Sequence, residues 1–365
     1  MSVSATRIPT PSKPTRPALP RPTGRASAKA CRATSSSWKT DPVPADPRLS
    51  SEKSVGLGNP HFVYFFDEGF APCSMVSIHS VLARTPGPVR LTLHPTFESK
   101  WLAPDVAALS DAFPAAQITV REVDLAPWRH LPRGRLPLAA RSRLLLPSIH
   151  SGRVLYLDGD ALARRDLTPL WETDLEGNCI GAALAPGVQA ILERYERSRS
   201  PEARKAGEKT LARGEKLDGI DMRRYFNSGV MLLDLDAITA KGLDARMMDI
   251  EATARYTSRD QDWLNMVFRN ETFVLDPTWN SGWGNPRTDR PYISPELRAH
   301  FRQSREDPAV IHYTGFEKPW SSRRPPFKIH MLTKPLERRL RARYWAEFQA
   351  ERDAAEAVLG RTLWP

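Results

Sequence analysis

Asp158, Gly159 and Asp160 follow directly on the apolar run RVLYL (153–157). In an extended segment residues i and i+2 point the same way, so both carboxylates can face one cation. Ligands of open α/β sheets bind beyond the carboxyl ends of the strands, which is where this pair falls. Spacing alone does not single it out. Asp234/Asp236 and Asp260/Asp262 repeat the pattern, and a turn or helix-capping pair is the competing reading. A second cluster, HYTGFEKPW (312–320), follows the strand-like AVI. Its imidazole, His312, can ligate a divalent metal, Gly315 permits close backbone approach, and Lys318 offers a point charge for phosphate. Two carboxylates and one imidazole suit Mn²⁺ or Mg²⁺, with positions left for diphosphate oxygens and water.

Such groups must be held at strand ends, and the surrounding sequence supplies strands. HFVYFF (61–66) reads as a strand buried on both faces, and 71–84 as a helix with Met75, Ile78 and Leu82 at helical spacing. VRLTLHP (89–95) and QITVREV (117–123) read as strands around a helix at 103–112 that has Pro104 near its start. A helix over 137–149 then leads into RVLYL. This alternation predicts an α/β fold with a mostly parallel, doubly wound sheet. Further strands are expected at 179–185, 228–235 and 309–313, and helices at 240–255 and 259–269. The stretch 193–223 is polar and lacks strong periodicity. Residues 321–343 hold eight Lys or Arg against Glu337, and lead into a helix with Leu340, Tyr344, Phe348 and Val358 on one side and Gly360 as its stop.

A chain of 365 residues with 41% hydrophobic side chains fits one large or two ordinary domains with a real core. No run of 18 apolar residues occurs, so no transmembrane helix is expected, and the first residues lack the apolar segment of a secretory signal. Cys31, Cys73 and Cys179 lie far apart, which predicts neither disulfides nor a cysteine zinc site and points to the cytoplasm. The formal charge of +11 sits at the ends. Residues 1–55 carry nine of the 33 prolines, ten basic and three acidic residues, and Trp38 as their one aromatic, the composition of a disordered tail. The body between is near neutral and contains no recognition module, so no nucleic-acid partner is expected. The basic run beside Tyr344, Trp345 and Phe348 predicts peripheral contact of 321–348 with an anionic membrane, at the inner face of the cytoplasmic membrane. The expected plan is a basic tail (1–57), a catalytic domain (58–320) and a basic amphipathic extension (321–365).

In order, LYLDGDALARRDLTPLW, YFNSGVMLLDL, RDQDWLN and HYTGFEKPW resemble family 8 of the retaining glycosyltransferases, over about residues 61–320. That family includes the lipopolysaccharide α-galactosyl- and α-glucosyltransferases. The resemblance implies a GT-A type, Rossmann-like nucleotide-sugar fold, a UDP-sugar donor, a divalent metal (usually Mn²⁺) and retention of configuration. It implies Asp158, Asp160 and His312 as metal ligands, with Asp158 also near the donor ribose, and Gly315 and Lys318 on the diphosphate. It further implies Asp67 at the uracil edge, Phe65 and Phe70 around the base, Arg143 on the donor, and Asn227, Asp260 and Gln261 around the transferred sugar.

Phe70 is commonly Tyr in the family, Gly69 commonly Asn and Ala185 often Asp, which leaves the sugar open between galactose and glucose. Retention needs a covalent carboxylate intermediate or same-face attack. Asp262 is the nearby carboxylate for the former, while Gln261 reads better as a polar contact in the transition state. Trp171, Trp263 and Trp345 read as packing, whereas Trp279, Asn280, Trp283 and Trp320 are candidate acceptor contacts. His94 and His330 read as ordinary histidines. The expected activity is metal-dependent transfer of a hexose from a UDP-hexose to a glycan acceptor, lipid-linked in lipopolysaccharide synthesis. The alternative is a UDP-sugar-binding protein of the same fold without transfer.

Overall fold

The computed structural model describes residues 58–132, 137–283, 295–315, 317–325 and 332–364, with the side chains of 295–300 left aside. The expected tail, with Cys31 and Trp38, and His330 lie outside these residues.

Strands β1 (His61–Phe66), β2 (Val89–Pro95), β3 (Ala116–Val120), β4 (Arg153–Leu157), β6 (Ile180–Leu184), β7 (Phe226–Asp234) and β8 (Thr272–Leu275) form one seven-stranded sheet. Its order is β3-β2-β1-β4-β7-β6-β8. β7 runs antiparallel to both neighbours and the other pairs are parallel, so the expected mostly parallel α/β sheet is present. β5 (Ala161–Ala163), β9 (Ser281–Gly282) and β10 (Val310–His312) make a small second sheet, order β5-β10-β9.

Alternation along the strands assigns the core. Phe62, Tyr64, Leu155 and Leu157 pack on one face with Met75, Ile78 and Leu82 of the helix Ala71–Arg84. Val63, Phe65, Val154 and Tyr156 pack on the other with Leu264 of the helix Arg259–Val267. Each buried side chain of this size contributes about 1.5–3 kcal/mol, so the centre of the sheet is the rigid frame of the molecule.

Four expectations change. The stretch 193–223 contains the end of one helix, Pro186–Arg197, and the whole of another, Pro201–Lys216. Their start signals are a proline at the first position of each and Ser200, whose side chain accepts from the Ala203 N–H at 3.1 Å. The segment 137–149 is a 3₁₀ stretch, Leu138–Leu145, before one short α turn, because Pro147 has no N–H to continue the ladder. The helix expected over 240–255 is broken into Leu235–Ala240, Asp244–Met247 and a 3₁₀ turn Glu251–Arg255, interrupted by Gly242 at φ +66°.

The fourth concerns the C-terminal helix, Pro335–Leu359, whose aromatic side was expected to be available to a membrane. Leu340, Tyr344 and Phe348 are instead buried in the same cluster as Tyr64 and Met75. Polar contacts fix it there. Glu351 accepts from Arg84 at 2.5 Å and bonds His79 at 2.6 Å, and Tyr313 donates to the Tyr344 carbonyl at 2.7 Å. The helix completes the core, so its aromatics are unavailable to lipid. Among the described residues no helix is long and apolar enough to cross a membrane.

Candidate functional site

The small sheet brings the two distant motifs together. β5 begins just after Asp160, and β10 pairs with it antiparallel so that His312 faces Ala161. The Tyr313 N–H donates to the Asp160 carbonyl at 3.0 Å, and the Asp158 N–H to the Gly229 carbonyl at 2.7 Å. As a result His312 Nε2 lies 3.0 Å from Asp160 Oδ1 and 3.6 Å from Asp158 Oδ2. One ligand atom from each of the three residues falls within 4.8 Å of the others, making a candidate metal site.

The donor set fits a hard divalent cation. His312 Nδ1 is 2.8 Å from Asn280 Oδ1, an atom that can only accept, so the proton belongs on Nδ1 and the Nε2 lone pair faces the carboxylates. Gly229 makes the room: a Cβ there would stand 2.0 Å from His312 Cε1 and 2.7 Å from Asp158 Oδ2. Burial opposes the charge on Asp160, but His312 and Lys318 outweigh it and hold the carboxyl well below the usual range. Lys318 Nζ is 2.8 Å from Asp160 Oδ2 and also donates to the Tyr313 carbonyl. Gly315 is buried, its N–H donating to the Trp283 carbonyl at 3.0 Å.

Beneath Asp158 lies Arg143, buried and fully engaged. Its guanidinium reaches Asp158 Oδ1 at 2.9 Å, Asp260 Oδ2 at 3.1 Å and the Ser228 carbonyl at 2.7 Å. Through these bonds Arg143 positions the Asp158 carboxylate. Burial raises the Asp260 pKa, with Arg143 opposing that rise. The sequence reading missed Tyr156, whose hydroxyl donates to Asp158 Oδ1 at 2.5 Å. Its signal was available, since Tyr156 and Asp158 are two apart on an extended strand.

A line of amides connects the metal side to the RDQD helix. Asn280 donates to Asn227 Oδ1 at 2.9 Å, and Asn227 to Gln261 Oε1 at 3.2 Å. Gln261 then donates to the Tyr225 hydroxyl at 3.1 Å, which donates to Asp262 Oδ1 at 2.7 Å. Asp262 is buried and also accepts from Arg213 and from the Ser258 N–H. Both its oxygens accept hydrogen bonds from the surrounding chain, so Asp262 ties Tyr225, Arg213 and Ser258 together.

The base-side residues divide. Asp67 Oδ1 accepts from the Phe70 N–H at 2.9 Å and shapes the turn after β1. Phe70 stands edge-on to Trp320 at 5.9 Å and close to Gly159, within the site. Phe65 does not: it is buried and stacked on His94 at 4.6 Å, a core residue where a base contact was expected. Glu317, next to Lys318 in sequence, pairs with Arg341 of the C-terminal helix. The Asp234/Asp236 pair is structural. Asp234 caps a helix by accepting from the Ala237 N–H at 2.9 Å, and Asp236 accepts from the Gly152 N–H at 2.9 Å. Trp171, Trp263 and Trp345 are buried as expected, and so is Trp283, stacked on Arg305 at 3.8 Å.

Known proteins resemble this chain to differing extents. The chain is 26% identical over 218 residues to General stress protein A of Bacillus subtilis, covering 55% of this chain and 66% of that one. It is 28% identical over 275 residues to Lipopolysaccharide 1,3-galactosyltransferase of Salmonella typhimurium, covering 72% and 73%. The chain spans less than two thirds of the length of several curated relatives it matches. Among solved structures, the galactosyltransferase LgtC in complex with donor and acceptor sugar analogues has a similar fold, with TM-score 0.54 and 23% identity, covering 80% of this chain and 99% of that one. The model of glycosyl transferase family 8 matches residues 61–324, nearly the whole described sheet and both halves of the candidate metal site, and the chain belongs to that family.

Proposed function

We propose that this protein is a metal-dependent, retaining hexosyltransferase that takes galactose or glucose from a UDP-hexose and passes it to a glycan acceptor of the lipopolysaccharide type. The observation that carries the reading is the Asp158–Asp160–His312 cluster, set beyond the carboxyl end of β4 with Lys318 beside it, in a family 8 chain. The relatives named for lipopolysaccharide glucosyl and galactosyl transfer support the sugar and acceptor class.

Asp158, Asp160 and His312 would hold the cation, with Mn²⁺ or Mg²⁺ fitting their O, O, N set. When bound, such an ion neutralises charge developing on a departing diphosphate. The chain's own groups do the rest. Arg143 and Tyr156 fix the Asp158 carboxylate by two charge-assisted hydrogen bonds, so little reorganisation is needed as charge moves. Asn280 keeps the lone pair of His312 on the cluster side. Lys318 is the single cation at the site positioned to pass from Asp160 to a phosphate oxygen. Asp67 and Phe70 flank the turn where a base would lie. Asn227, Asp260 and Gln261 form the polar floor assigned to the transferred sugar, with Gln261 held in one rotamer between Asn227 and Tyr225. With Asp262 bound on both oxygens, retention is assigned to same-face attack.

Incubation with UDP-galactose and UDP-glucose, with an oligosaccharide acceptor and Mn²⁺, tests the reading. Proton NMR of the product should show the donor's anomeric configuration retained. An inverted product, or transfer from neither donor, contradicts it.

A further inference from the structure

The sheet carries a second polar concentration on the outer part of one face. This cleft shares no lining residue with the candidate metal site and runs across β1, β2 and β3 from His61, Arg90 and Gln117 near their amino ends to Arg121 just past β3. Its volume is about 300 Å³, and its lining includes His61, Arg90, Thr92, Arg121 and His150. No carboxylate lines it.

The strand pattern shows how the cleft arises. Along β2, Leu91 and Leu93 are buried in the core with Phe62 and Tyr64, while Arg90, Thr92 and His94 alternate onto the other face. β3 repeats this, with Ile118 packed against the core and Gln117 and Thr119 lining the cleft. A doubly wound sheet normally covers both faces with apolar contacts. Here the outer part of one face is polar and open.

Among the described residues neither Arg90 nor Arg121, both exposed, has an ion-pair partner, so no acid neutralises the charge at the cleft. The imidazoles are linked without any acid: His61 Nε2 to Thr92 Oγ1 at 2.9 Å, His94 Nδ1 to the Arg121 carbonyl at 2.9 Å, and His94 Nε2 to His150 Nε2 at 2.8 Å. His61 is 6% exposed, and its Nδ1 is buried without a hydrogen-bond partner. Burial first, then the neighbouring guanidiniums and imidazoles, push His61 down to about 4 and His150 to about 3. A concave site with two unpaired guanidiniums, hydroxyl and amide donors and no competing carboxylate is the donor set that recognises a tetrahedral oxyanion.

We propose that this cleft binds a phosphate group, free or as the phosphate monoester of a small molecule, at a site separate from the donor. Arg90 and Arg121 supply the charge, and the Thr92 and Thr119 hydroxyls and the Gln117 amide supply neutral hydrogen bonds. The volume admits a phosphate with a small organic group attached.

Calorimetric titration of the full chain with inorganic phosphate and with glucose 6-phosphate, at constant ionic strength, tests it. Each titration is run with and without saturating UDP and Mn²⁺. Binding that persists in the presence of UDP, and falls at least about tenfold in the R90Q/R121Q double variant, is the expected result. Tighter binding of the ester than of inorganic phosphate identifies the organic phosphate as the source, and the reverse order identifies the free ion. The two arginines are exposed and make no ion pair, so the variant should keep its fold and its UDP affinity. In parallel, the ring signals of His61 and His150 should move on phosphate addition. No binding tighter than about 10 mM overturns the proposal, as do equal affinity in the double variant, complete displacement by UDP, or unmoved histidine signals.

Discussion

Asn280 touches none of the carboxylates, yet it decides whether His312 can serve as a ligand. Its Oδ1 is 2.8 Å from His312 Nδ1, and both side chains are almost fully buried, so no water replaces the acceptor when it is removed. In Asn280→Leu the imidazole has two options. It keeps the proton on Nδ1 as a buried unsatisfied donor, at a cost of about 1–3 kcal/mol, or it moves the proton to Nε2 and blocks the lone pair that faces Asp158 and Asp160. Either route weakens the cation. Loss of such a supporting partner lowers metal affinity about 10–100-fold, which is about 1.4–2.7 kcal/mol. Asn280→Asp keeps an acceptor at the same atom and should restore most of the affinity. The assay is titration with Mn²⁺, reading the free ion by electron paramagnetic resonance, with circular dichroism confirming that each variant is folded. Parent-like affinity in Asn280→Leu, or Asn280→Asp as weak as Asn280→Leu, refutes the assigned tautomer.

Other outcomes follow from the same geometry. Gly229→Ala should abolish Mn²⁺ binding in that titration while the secondary structure persists, because its methyl group would sit 2.0 Å from His312 Cε1. Phe348→Ala should lower unfolding free energy in urea by about 3–5 kcal/mol, since the C-terminal helix belongs to the core; an unchanged midpoint would return that helix to the surface. Asp262→Asn should reduce stability through Arg213 and Tyr225, yet mass spectrometry of the parent enzyme turning over donor should reveal no sugar adduct on Asp262. Acid sensitivity should begin early. His61 and His94 are held at about 4 and His150 at about 3, below the ordinary 6.5, so the unfolded chain takes up protons first. Stability is then full above about pH 6.5 and falls as pH drops toward 4, with a shallower slope in His150→Asn.

How far the residues alone foretold this depends on whether a signal was local. The DGD pair after RVLYL and the HYTGFEKP run were legible because strand periodicity fixes which way their side chains point and what they can ligate. Their meeting was implied by the family resemblance and not by the residues themselves: β5 and β10 are two three-residue strands whose pairing spans about two fifths of the chain, and no periodicity encodes that. The helices Pro186–Arg197 and Pro201–Lys216 were missed because charged residues hide the apolar stripe, although Pro186, Ser200 and Pro201 marked their starts. The C-terminal helix was misread for the opposite reason. An aromatic side flanked by basic residues looks the same in sequence whether it meets lipid or the body of its own domain, and here Tyr344 and Phe348 complete the core. Phe65 was assigned to the base by its position in the motif, but strand alternation sends it to the face shared by His94 and Tyr156.

The most direct test is release of UDP from UDP-galactose and UDP-glucose by the parent protein and by Asp160→Asn, titrated with Mn²⁺ after exhaustive chelation. Saturable, Mn²⁺-dependent UDP release by the parent, with loss of that dependence in Asp160→Asn, is the result expected of a cation held by Asp158, Asp160 and His312. UDP release at the same rate with chelator present, or unaffected by Asp160→Asn, contradicts it.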